Sequence, residues 1–284
     1  MKLVNGRQFF TLGGLAETDN SECSKLFSDK LLQPVQEKRM CKKHGEYISD
    51  VINFEDGREA WVTDCPQCIA EREEEERKEQ EKRERKRILA QCKESNIEPE
   101  FYFKKLEDFI PQTESQKKAL EASRKLIYGD LKKVVLLGPN GVGKTMLASI
   151  VTRELCGKIY SMYEISAMIR DTYTAKAKKS ELDIVYELAS IPFLAIDEMG
   201  RSSGSNSEMN WLSFILDKRH TRKLPFILIS NRHLMRNCKN GGCSDCFENF
   251  IGNDCLSRLY EDSAVITIDA KDNRRFKYIK EVIE

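Results

Sequence analysis

Short, almost wholly apolar runs recur along the second half of the chain. We predict a buried strand at each of these runs, which are Val134–Leu137, Ile159–Tyr163, Ile191–Ile196, Phe226–Ile229 and Ala264–Ile268. Between the runs, apolar residues recur at helical spacing. Helices are therefore predicted at Gln116–Tyr128 (with Ser115 as the N-cap), Met146–Glu154, Glu164–Thr174 and Glu181–Ala189. This alternation predicts an α/β fold around a parallel sheet.

The segment before residue 95 lacks this alternation. Glu22–Val35 is predicted as a short helix that packs on a small domain, which we favour over a partner-binding segment. Ala70–Lys93 is almost wholly charged, with opposite charges at i,i+4 spacing such as Glu73 and Arg77. We interpret it as a solvated helical linker, because no apolar heptad supports a coiled coil. The predicted domains are 1–69 and 95–284, joined by the linker 70–94.

Composition narrows the setting of these domains. The 284-residue chain has a formal net charge of +1, so any nucleic-acid contact must come from local patches rather than from global attraction. It has no apolar stretch long enough to cross a membrane and no signal-peptide core near its start, which predicts a cytoplasmic protein. The ten cysteines are then expected to be metal ligands, core residues or bystanders rather than disulfides.

A glycine-rich loop joins the first of these strands to the helix Met146–Glu154. Its residues are Gly138, Pro139, Asn140, Gly141, Val142, Gly143, Lys144 and Thr145. This is a complete P-loop: backbone N–H groups surround phosphate oxygens, Lys144 reaches the β- and γ-phosphates, and Thr145 places a hydroxyl on Mg²⁺. A chance match would lack the strand before the loop and the helix after it, so ATP and Mg²⁺ are the expected ligands.

Two further strands deliver polar residues to the end of the sheet. Asp197 and Glu198 follow the run Ile191–Ile196, and Asn231 follows the next strand. Asp197 is predicted to hold the Mg²⁺ shell, and Glu198 to polarise the water that attacks the γ-phosphate. Asn231 is the candidate for orienting that water.

Paired cysteine and histidine residues lie near the start of the chain. Cys41 and His44 form one pair, and Cys65 and Cys68 form another about twenty residues later. Two such pairs are typical of a small tetrahedral zinc site with a ribbon-like hairpin between them. Because all four ligands come from the protein, this zinc is predicted to be structural.

A second cysteine-rich segment follows Asn231. One interpretation of its spacing is a second zinc site with a glycine pair in a tight turn, and its ligands would be Cys238, Cys243, Cys246 and Cys255. The alternative is that these cysteines are free thiols in an insertion. Among them, Cys255 also fits a buried core position, because it lies close to Arg258 in the sequence.

The order of these motifs resembles the AAA+ family. Gly138–Thr145, Asp197–Glu198, Ser230–Asn231 and Ser257–Leu259 are similar to motifs of its branch without a C-terminal lid, which contains replicative helicase loaders of the DnaC and DnaI type. The similarity covers about residues 95–284. The paired Cys/His site with its charged linker resembles the zinc-bearing N-terminal domain that some of these loaders use to grip the helicase.

The resemblance implies roles for further residues. Arg258 matches the arginine finger, a cation supplied to the γ-phosphate of a neighbouring subunit. Arg275 matches a basic residue near the C-terminus that faces nucleotide. Arg170 and Tyr173 match a segment that contacts single-stranded DNA, and Ser205 matches another DNA-facing position. Tyr173 as a core residue on a helix face is the alternative.

These features together favour an ATP-dependent helicase loader. Such a protein binds a hexameric, DnaB-like replicative helicase, oligomerises on it through the ATPase domain and delivers it onto single-stranded DNA. An IstB-like transposition helper that acts on duplex DNA is the alternative, and the N-terminal zinc domain favours the loader. A zinc-containing adaptor that only binds nucleotide is disfavoured by Glu198 and Arg258.

Overall fold

A computed structural model describes residues 3–4, 7–8, 33–54, 57–174, 176–200, 206–239 and 241–272. The chain divides into two compact units, Met1–Arg83 and Glu84–Glu284. Within the described ranges, no helix combines the length and the apolar character that crossing a membrane would require.

The first unit contains a three-stranded antiparallel sheet. Its strands are β3 (Val35–Cys41), β4 (Gly45–Asn53) and β5 (Glu59–Val62), in that spatial order. A separate pair, β1 (Leu3–Val4) and β2 (Arg7–Gln8), is also antiparallel. The predicted hairpin corresponds to β4 and β5, whereas β3 was not predicted. Val35 begins this strand instead of ending a helix, and residues 22–32 of that predicted helix lie outside the described part of the chain.

The charged segment forms one continuous helix. This helix, α1, spans Pro66–Glu94 and carries i,i+4 ion pairs such as Lys78 with Glu74, at 2.7 Å. Cys92 is its one buried residue. Because almost every other side chain is solvated, exposed ion pairs worth a few tenths of a kcal/mol each and good intrinsic propensity support the helix.

The second unit is built on five parallel strands. They are β6 (Lys133–Leu137), β7 (Lys158–Ser161), β8 (Leu194–Met199), β9 (Phe226–Ser230) and β10 (Ser263–Thr267), and their spatial order is β10-β6-β9-β8-β7. Parallel strands end at the same edge of a sheet, so this order places β9 between the P-loop strand β6 and the acidic strand β8. The predicted α/β fold with a parallel sheet is confirmed.

Helices connect the strands and cover both faces of the sheet. They are α2 (Glu114–Tyr128), α3 (Lys144–Glu154), α4 (Met162–Asp171), α5 (Glu181–Ser190), α6 (Asn206–Thr221), α7 (Phe247–Ile251) and α8 (Asn253–Tyr260). Residues of β6 alternate between the two cores: Val135 and Leu137 pack with α4, α5 and α6, whereas Val134 and Leu136 pack with α2 and α3. Burial on both faces explains the continuous apolar run.

Local capping chemistry changed two predicted boundaries. The strand predicted at Ile159–Tyr163 ends at Ser161, because the Ser161 side chain accepts a hydrogen bond from the Glu164 backbone and starts α4. Thr113, and not Ser115, is the N-cap of α2, in a capping box with Gln116. The Ser115 hydroxyl instead pairs with the backbone of Asp269.

Candidate nucleotide-binding site

The P-loop connects β6 to α3 through a turn that only glycine accommodates at two positions. Gly138 has φ +138°, and a Cβ atom there would lie 2.4 Å from the carbonyl oxygen of Ile268. Gly143 has φ +96°, and a Cβ atom there would lie 2.4 Å from the Phe109 ring. The loop therefore keeps its backbone close to the surrounding structure while its N–H groups and the start of α3 form a typical cradle for phosphate.

Lys144 ties the loop to the neighbouring strand. Its buried ammonium group donates hydrogen bonds to the carbonyl oxygens of Gly138 and Pro139, each at 2.7 Å, and to Asn231 Oδ1 at 3.0 Å. The sequence predicted roles for both Lys144 and Asn231, and the structure brings their side chains together. An ammonium group held between the loop and the end of β9 is placed for a phosphate chain bound at this edge.

Thr145 and Asp197 provide oxygen ligands of the kind that Mg²⁺ prefers. The Thr145 hydroxyl donates to Asp197 Oδ2 at 2.7 Å. Burial raises the pKa of the Asp197 carboxyl, opposed by hydrogen bonds from Thr145 and from the Glu198 backbone. A divalent cation would favour the ionised carboxylate in this buried position. The donor set of a hydroxyl and a carboxylate fits Mg²⁺, which Thr145 and Asp197 would hold and which would offset the negative charge of bound phosphates.

Glu198 reaches the same site through an irregular backbone. Its φ is +54°, and the pairing of β8 with β9 shifts register between Ile196 and Met199. Consecutive residues of a regular strand point to opposite faces, but Asp197 and Glu198 both line one cavity. The bulge therefore turns two adjacent acids toward the P-loop.

The cavity at this edge has a volume of about 410 Å³. Of the residues predicted to act here, it is lined by Asn140, Gly141, Gly143, Lys144, Thr145, Asp197, Glu198 and Asn231. Val142 faces away into the core, where its carbonyl oxygen accepts a hydrogen bond from Gln116 Nε2 at 3.2 Å. Gly138 and Pro139 are not among the lining residues and contact the site through their carbonyl oxygens, which accept from Lys144. The predicted residues that line the cavity form one connected site of a size suited to a nucleotide.

Sequence reasoning missed one wall of this cavity. The wall comes from the segment before α2 and contains Glu100, Phe101, Asp108, Phe109, Ile110 and Gln112. The signal for it in the sequence is a cluster of apolar residues before α2, which periodicity alone assigns to packing: Ile97, Phe101, Phe103, Leu106, Phe109 and Ile110. The Asp272 side chain was also missed, and its Oδ1 would lie 1.7 Å from a Cβ atom at Gly141.

Comparison with known proteins identifies the family of this domain. The sequence profile described as IstB-like ATP binding protein matches residues 71–277. The chain belongs to this family. The match covers the P-loop, Asp197, Glu198 and Asn231, so all of the predicted residues that line the cavity belong to the IstB-like domain.

Curated relatives of the IstB-like domain are named for helicase loading. The replicative helicase loader DnaC of Escherichia coli (strain K12) is 27% identical over 148 residues, which are 49% of this chain and 60% of the relative. The DnaC of Buchnera aphidicola subsp. Acyrthosiphon pisum is 25% identical over 126 residues, 42% of this chain and 51% of the relative. The chain thus spans just over half the length of these relatives. The resemblance to DnaC-type AAA+ loaders is confirmed.

A solved structure shows the same fold. The crystal structure of a DNA replication initiation factor aligns with a TM-score of 0.50 and 19% sequence identity, covering 66% of this chain and 55% of that one. At this identity the likeness concerns the α/β architecture of the IstB-like domain.

Arg258 of the IstB-like domain lies on α8, and it is not among the described residues that line the cavity of its own chain. Its Nε is 3.2 Å from Asp217 Oδ1, and its side chain is partly exposed. Arg275, predicted to face nucleotide, and Ser205, predicted to face DNA, lie outside the described residues.

The two remaining residues assigned to DNA lie at the end of α4. The Arg170 guanidinium is 5.7 Å from the centre of the Tyr163 ring. Tyr173 as a whole residue is 63% exposed, and its hydroxyl donates a hydrogen bond to Glu181. The alternative that Tyr173 is a core residue is therefore wrong, and its ring remains available at the surface.

In the first unit, the structure brings the predicted zinc ligands together. The Nδ1 atom of His44 lies 3.8 Å from Cys41 Sγ, 3.6 Å from Cys65 Sγ and 3.2 Å from Cys68 Sγ. Its Nε2 atom lies 3.2 Å from a Glu71 carboxylate oxygen, a contact that typically orients a histidine ligand. Backbone N–H groups lower the pKa of the Cys41 thiol to about 6. This donor set fits a structural Zn²⁺ ion.

The second cysteine cluster differs from the predicted one. His233 joins Cys238, Cys243 and Cys246, and the four ligand atoms lie within 4.8 Å of one another. Cys255 is instead buried among apolar residues of α6, α7 and α8. The assignment of Cys255 is therefore corrected, because its position on α8 turns it into the core.

Proposed function

We propose that this protein is an ATP-dependent helicase loader, which binds a hexameric, DnaB-like replicative helicase and delivers it onto single-stranded DNA. The observation that carries the proposal is the connected cluster of Lys144, Thr145, Asp197, Glu198 and Asn231 within a domain whose curated relatives are named helicase loaders. We infer that the protein works in the cytoplasm, where these partners occur.

The proposed reaction is hydrolysis of ATP to ADP and phosphate. Lys144 and the P-loop N–H groups hold the phosphates, and Thr145 and Asp197 hold Mg²⁺. Glu198 accepts a proton from the attacking water, and Asn231 orients that water. Asn231 already contacts Lys144 at 3.0 Å, so both groups can respond to the γ-phosphate. Assembly completes the site when Arg258 of a neighbouring copy approaches the γ-phosphate.

The N-terminal unit is proposed to bind the helicase. Its three-stranded sheet is too small to bury a large core, and a Zn²⁺ ion on Cys41, His44, Cys65 and Cys68 would stabilise the unit. The proposed domains remain 1–69 for helicase binding, 70–94 as the linker and 95–284 as the ATPase. Exposed apolar side chains on β3 and β4, such as Met40 and Ile48, offer contact area for a partner.

The transposition-helper alternative is not favoured. Both curated relatives described above are named replicative helicase loaders. The name of the family profile alone does not distinguish the two functions, because it describes an ATP-binding protein.

The test uses the full chain and a purified DnaB-type hexamer. The protein with ATP should form a complex with the hexamer and increase the amount of helicase bound to circular single-stranded DNA. Lys144→Ala should abolish nucleotide binding, measured with a fluorescent ATP analogue, because the ammonium group is lost. Lys117→Ala is the matched control, since Lys117 is an exposed lysine on α2 that pairs only with Glu114 in the described structure.

Two results would contradict the proposal. Unchanged nucleotide binding in Lys144→Ala would refute the P-loop assignment. A wild-type protein that binds ATP but neither captures the hexamer nor raises its occupancy on single-stranded DNA would refute helicase loading.

A further inference from the structure

We propose that the segment following β9 binds a second structural Zn²⁺ ion through His233 Nε2 and the thiolates of Cys238, Cys243 and Cys246. We call these four residues the C-terminal clamp. The clamp lies in the ATPase unit and is separate from the ligands of the N-terminal unit. Neither helicase binding nor ATP hydrolysis is needed for this inference.

The spacing of three of the four ligand atoms matches the edges of a tetrahedron, and all four lie within 4.8 Å of one another. For Zn–S bonds of about 2.3 Å and Zn–N bonds of about 2.0–2.1 Å, tetrahedral geometry requires about 3.8 Å between sulfurs and about 3.6 Å between sulfur and nitrogen. Cys243 Sγ and Cys246 Sγ are 3.9 Å apart. His233 Nε2 lies 3.4 Å from the first sulfur and 3.5 Å from the second.

The same distances argue against a disulfide. A disulfide bond requires two sulfurs about 2.05 Å apart, whereas Cys243 Sγ and Cys246 Sγ are separated by 3.9 Å. Three thiols and an imidazole gathered in this way form a closed set of four protein ligands, which is typical of structural rather than catalytic zinc.

The backbone around the clamp forms a zinc knuckle. Gly241 and Gly242 have φ values of +67° and +137°, which allow the chain to turn before Cys243. The Cys243 N–H group donates to Cys246 Sγ at 3.4 Å, and the Cys246 N–H group donates to the Cys243 carbonyl at 3.1 Å. These two hydrogen bonds close a tight turn between Cys243 and Cys246, whose sulfur atoms lie 3.9 Å apart.

Backbone pairing brings His233 to this knuckle. His233 forms an isolated parallel bridge with Cys246, and its carbonyl oxygen accepts a hydrogen bond from the Phe247 N–H group at 2.8 Å. These contacts join a residue just after β9 to the start of α7. The histidine is thus positioned by main-chain contacts that do not themselves require an ion.

The clamp begins next to Asn231, which lines the nucleotide cavity. Asn231 lies two residues before His233, and the intervening Arg232 bridges two segments. The Arg232 guanidinium donates to the carbonyl oxygens of Ser244 at 2.5 Å and Gly200 at 3.2 Å. Zinc at the clamp would therefore fix the end of β9 against the segment that follows Glu198.

Metal content of the full-length protein tests the proposal. In a Cys41→Ser/Cys65→Ser background, which removes ligands of the N-terminal unit, mass spectrometry of metals should find one zinc per chain. Adding Cys243→Ser should remove it, whereas adding Cys255→Ser should not. His233→Cys should retain the ion, because a thiolate replaces the imidazole, and His233→Ala should weaken its retention against a chelator.

Cobalt substitution gives a readout of the ligand set. Co²⁺ bound in the same background should show the intense absorption of a tetrahedral site with thiolate ligands, and His233→Cys should shift its bands. The background protein and its His233→Cys derivative are both expected to bind the metal, so their comparison tests the proposal even if Cys243→Ser fails to fold. A background protein without zinc and without a tetrahedral cobalt spectrum would overturn the proposal, as would zinc lost on Cys255→Ser but retained in His233→Ala.

The zinc measurements are independent of the proposed function. A protein with two zinc ions that fails to capture a helicase would refute loading and leave the clamp intact. A protein that loads helicase but holds zinc only in its N-terminal unit would refute the clamp alone.

Discussion

Glu198 illustrates how one residue can require a local departure from regular structure. The left-handed φ of +54° is unfavourable for a residue with a side chain, typically by about 1–3 kcal/mol. Pairing of β8 with β7 and β9 on either side stabilises this conformation. Because of it, Asp197 and Glu198 both face the cavity. The two acids were predictable as sequence neighbours at a strand end. The bulge was not, because it depends on pairing with β9.

At the residue scale, substitution of Tyr173 tests whether this residue contacts single-stranded DNA. Tyr173→Ala should weaken binding of single-stranded DNA by about 1–3 kcal/mol, which corresponds to about 5- to 150-fold in affinity, if the exposed ring stacks on a base. Fluorescence anisotropy with a labelled oligonucleotide at fixed salt measures this change. The physical reason is loss of the aromatic surface of a residue that is 63% exposed in the protein.

Tyr173→Phe is the matched control for this prediction. It keeps the ring but removes the hydroxyl group that donates to Glu181. Near-normal affinity for Tyr173→Phe together with weakened affinity for Tyr173→Ala supports stacking. Equal weakening in both variants would assign the effect to the Glu181 contact, and unchanged affinity in both would remove Tyr173 from the DNA interface.

At the scale of elements, a buried arginine joins helices to the sheet. Arg219 on α6 is fully buried, and its guanidinium donates to the carbonyl oxygens of Leu188, Ile191 and Pro225 at 3.1, 2.7 and 2.6 Å. These carbonyls lie at the end of α5 and just before β8 and β9. Burial lowers the pKa of Arg219 to about 10, so the side chain remains charged at neutral pH.

Arg219→Met should destabilise the second unit by about 3 kcal/mol or more. The substitution keeps an apolar stem but leaves several buried carbonyl groups without their donor, each costing about 1–3 kcal/mol. The chain has two tryptophans, so a Trp61→Phe background leaves Trp211 of α6 to report unfolding in urea. Arg222→Met is the control, because this exposed arginine donates to the Ser190 hydroxyl at the surface.

A small effect of Arg219→Met, equal to that of Arg222→Met, would show that water or rearranged donors replace the guanidinium. It would also show that the alignment of α5 with the strands does not depend on Arg219.

The elements differ in how far their sequence predicts them. The strands β6, β8 and β9 were predictable because both of their faces are buried, which leaves a continuous apolar run. The edge strands β7 and β10 are mostly half-buried, and their apolar runs are shorter. The exposed strand β3 was missed, because its polar sequence shows no buried face and only its pairing with β4 defines it. Helix α6 was missed because a buried Arg219 interrupts its apolar pattern.

The two metal sites also differ in how far the sequence predicts their ligands, because one depends on spacing along the chain and the other on a tertiary contact. The N-terminal ligands were predictable as a set, because two closely spaced pairs are typical of zinc-binding turns; they are Cys41, His44, Cys65 and Cys68. His233 was not predicted, since it lacks a close cysteine partner in sequence and joins the clamp through its bridge to Cys246. A histidine two residues after Asn231 was the available signal.

At the scale of the whole molecule, the nucleotide site is proposed to be shared between copies. The cavity of one chain contains the P-loop, both acids and Asn231, while Arg258 pairs with Asp217 on the surface of the same chain. An arginine held by one exposed ion pair can exchange that partner at little cost, because exposed pairs contribute about 0–1 kcal/mol. Hydrolysis would then depend on assembly, although the net charge of +1 provides no strong general attraction or repulsion between copies.

Mixing two inactive variants tests this arrangement. Arg258→Ala should lower the ATPase rate of the assembled protein by about a thousand-fold or more, as should Glu198→Gln, which keeps nucleotide and Arg258 but lacks the base. In a random equal mixture, about one quarter of the sites combine an intact Glu198 with Arg258 from the neighbour. The mixture should therefore recover up to about a quarter of the wild-type rate, measured as phosphate release with helicase and single-stranded DNA present.

Asp217→Ala separates this role from a structural one. The substitution removes the ion pair but keeps Arg258, so the ATPase rate should stay near that of the wild type if Arg258 acts on a neighbour's nucleotide. A rate as low as that of Arg258→Ala would assign the loss to the ion pair within one chain. A mixture of Arg258→Ala and Glu198→Gln that stays inactive would show that Arg258 does not complete the site of another copy, because about a quarter of the sites in a random mixture combine both groups.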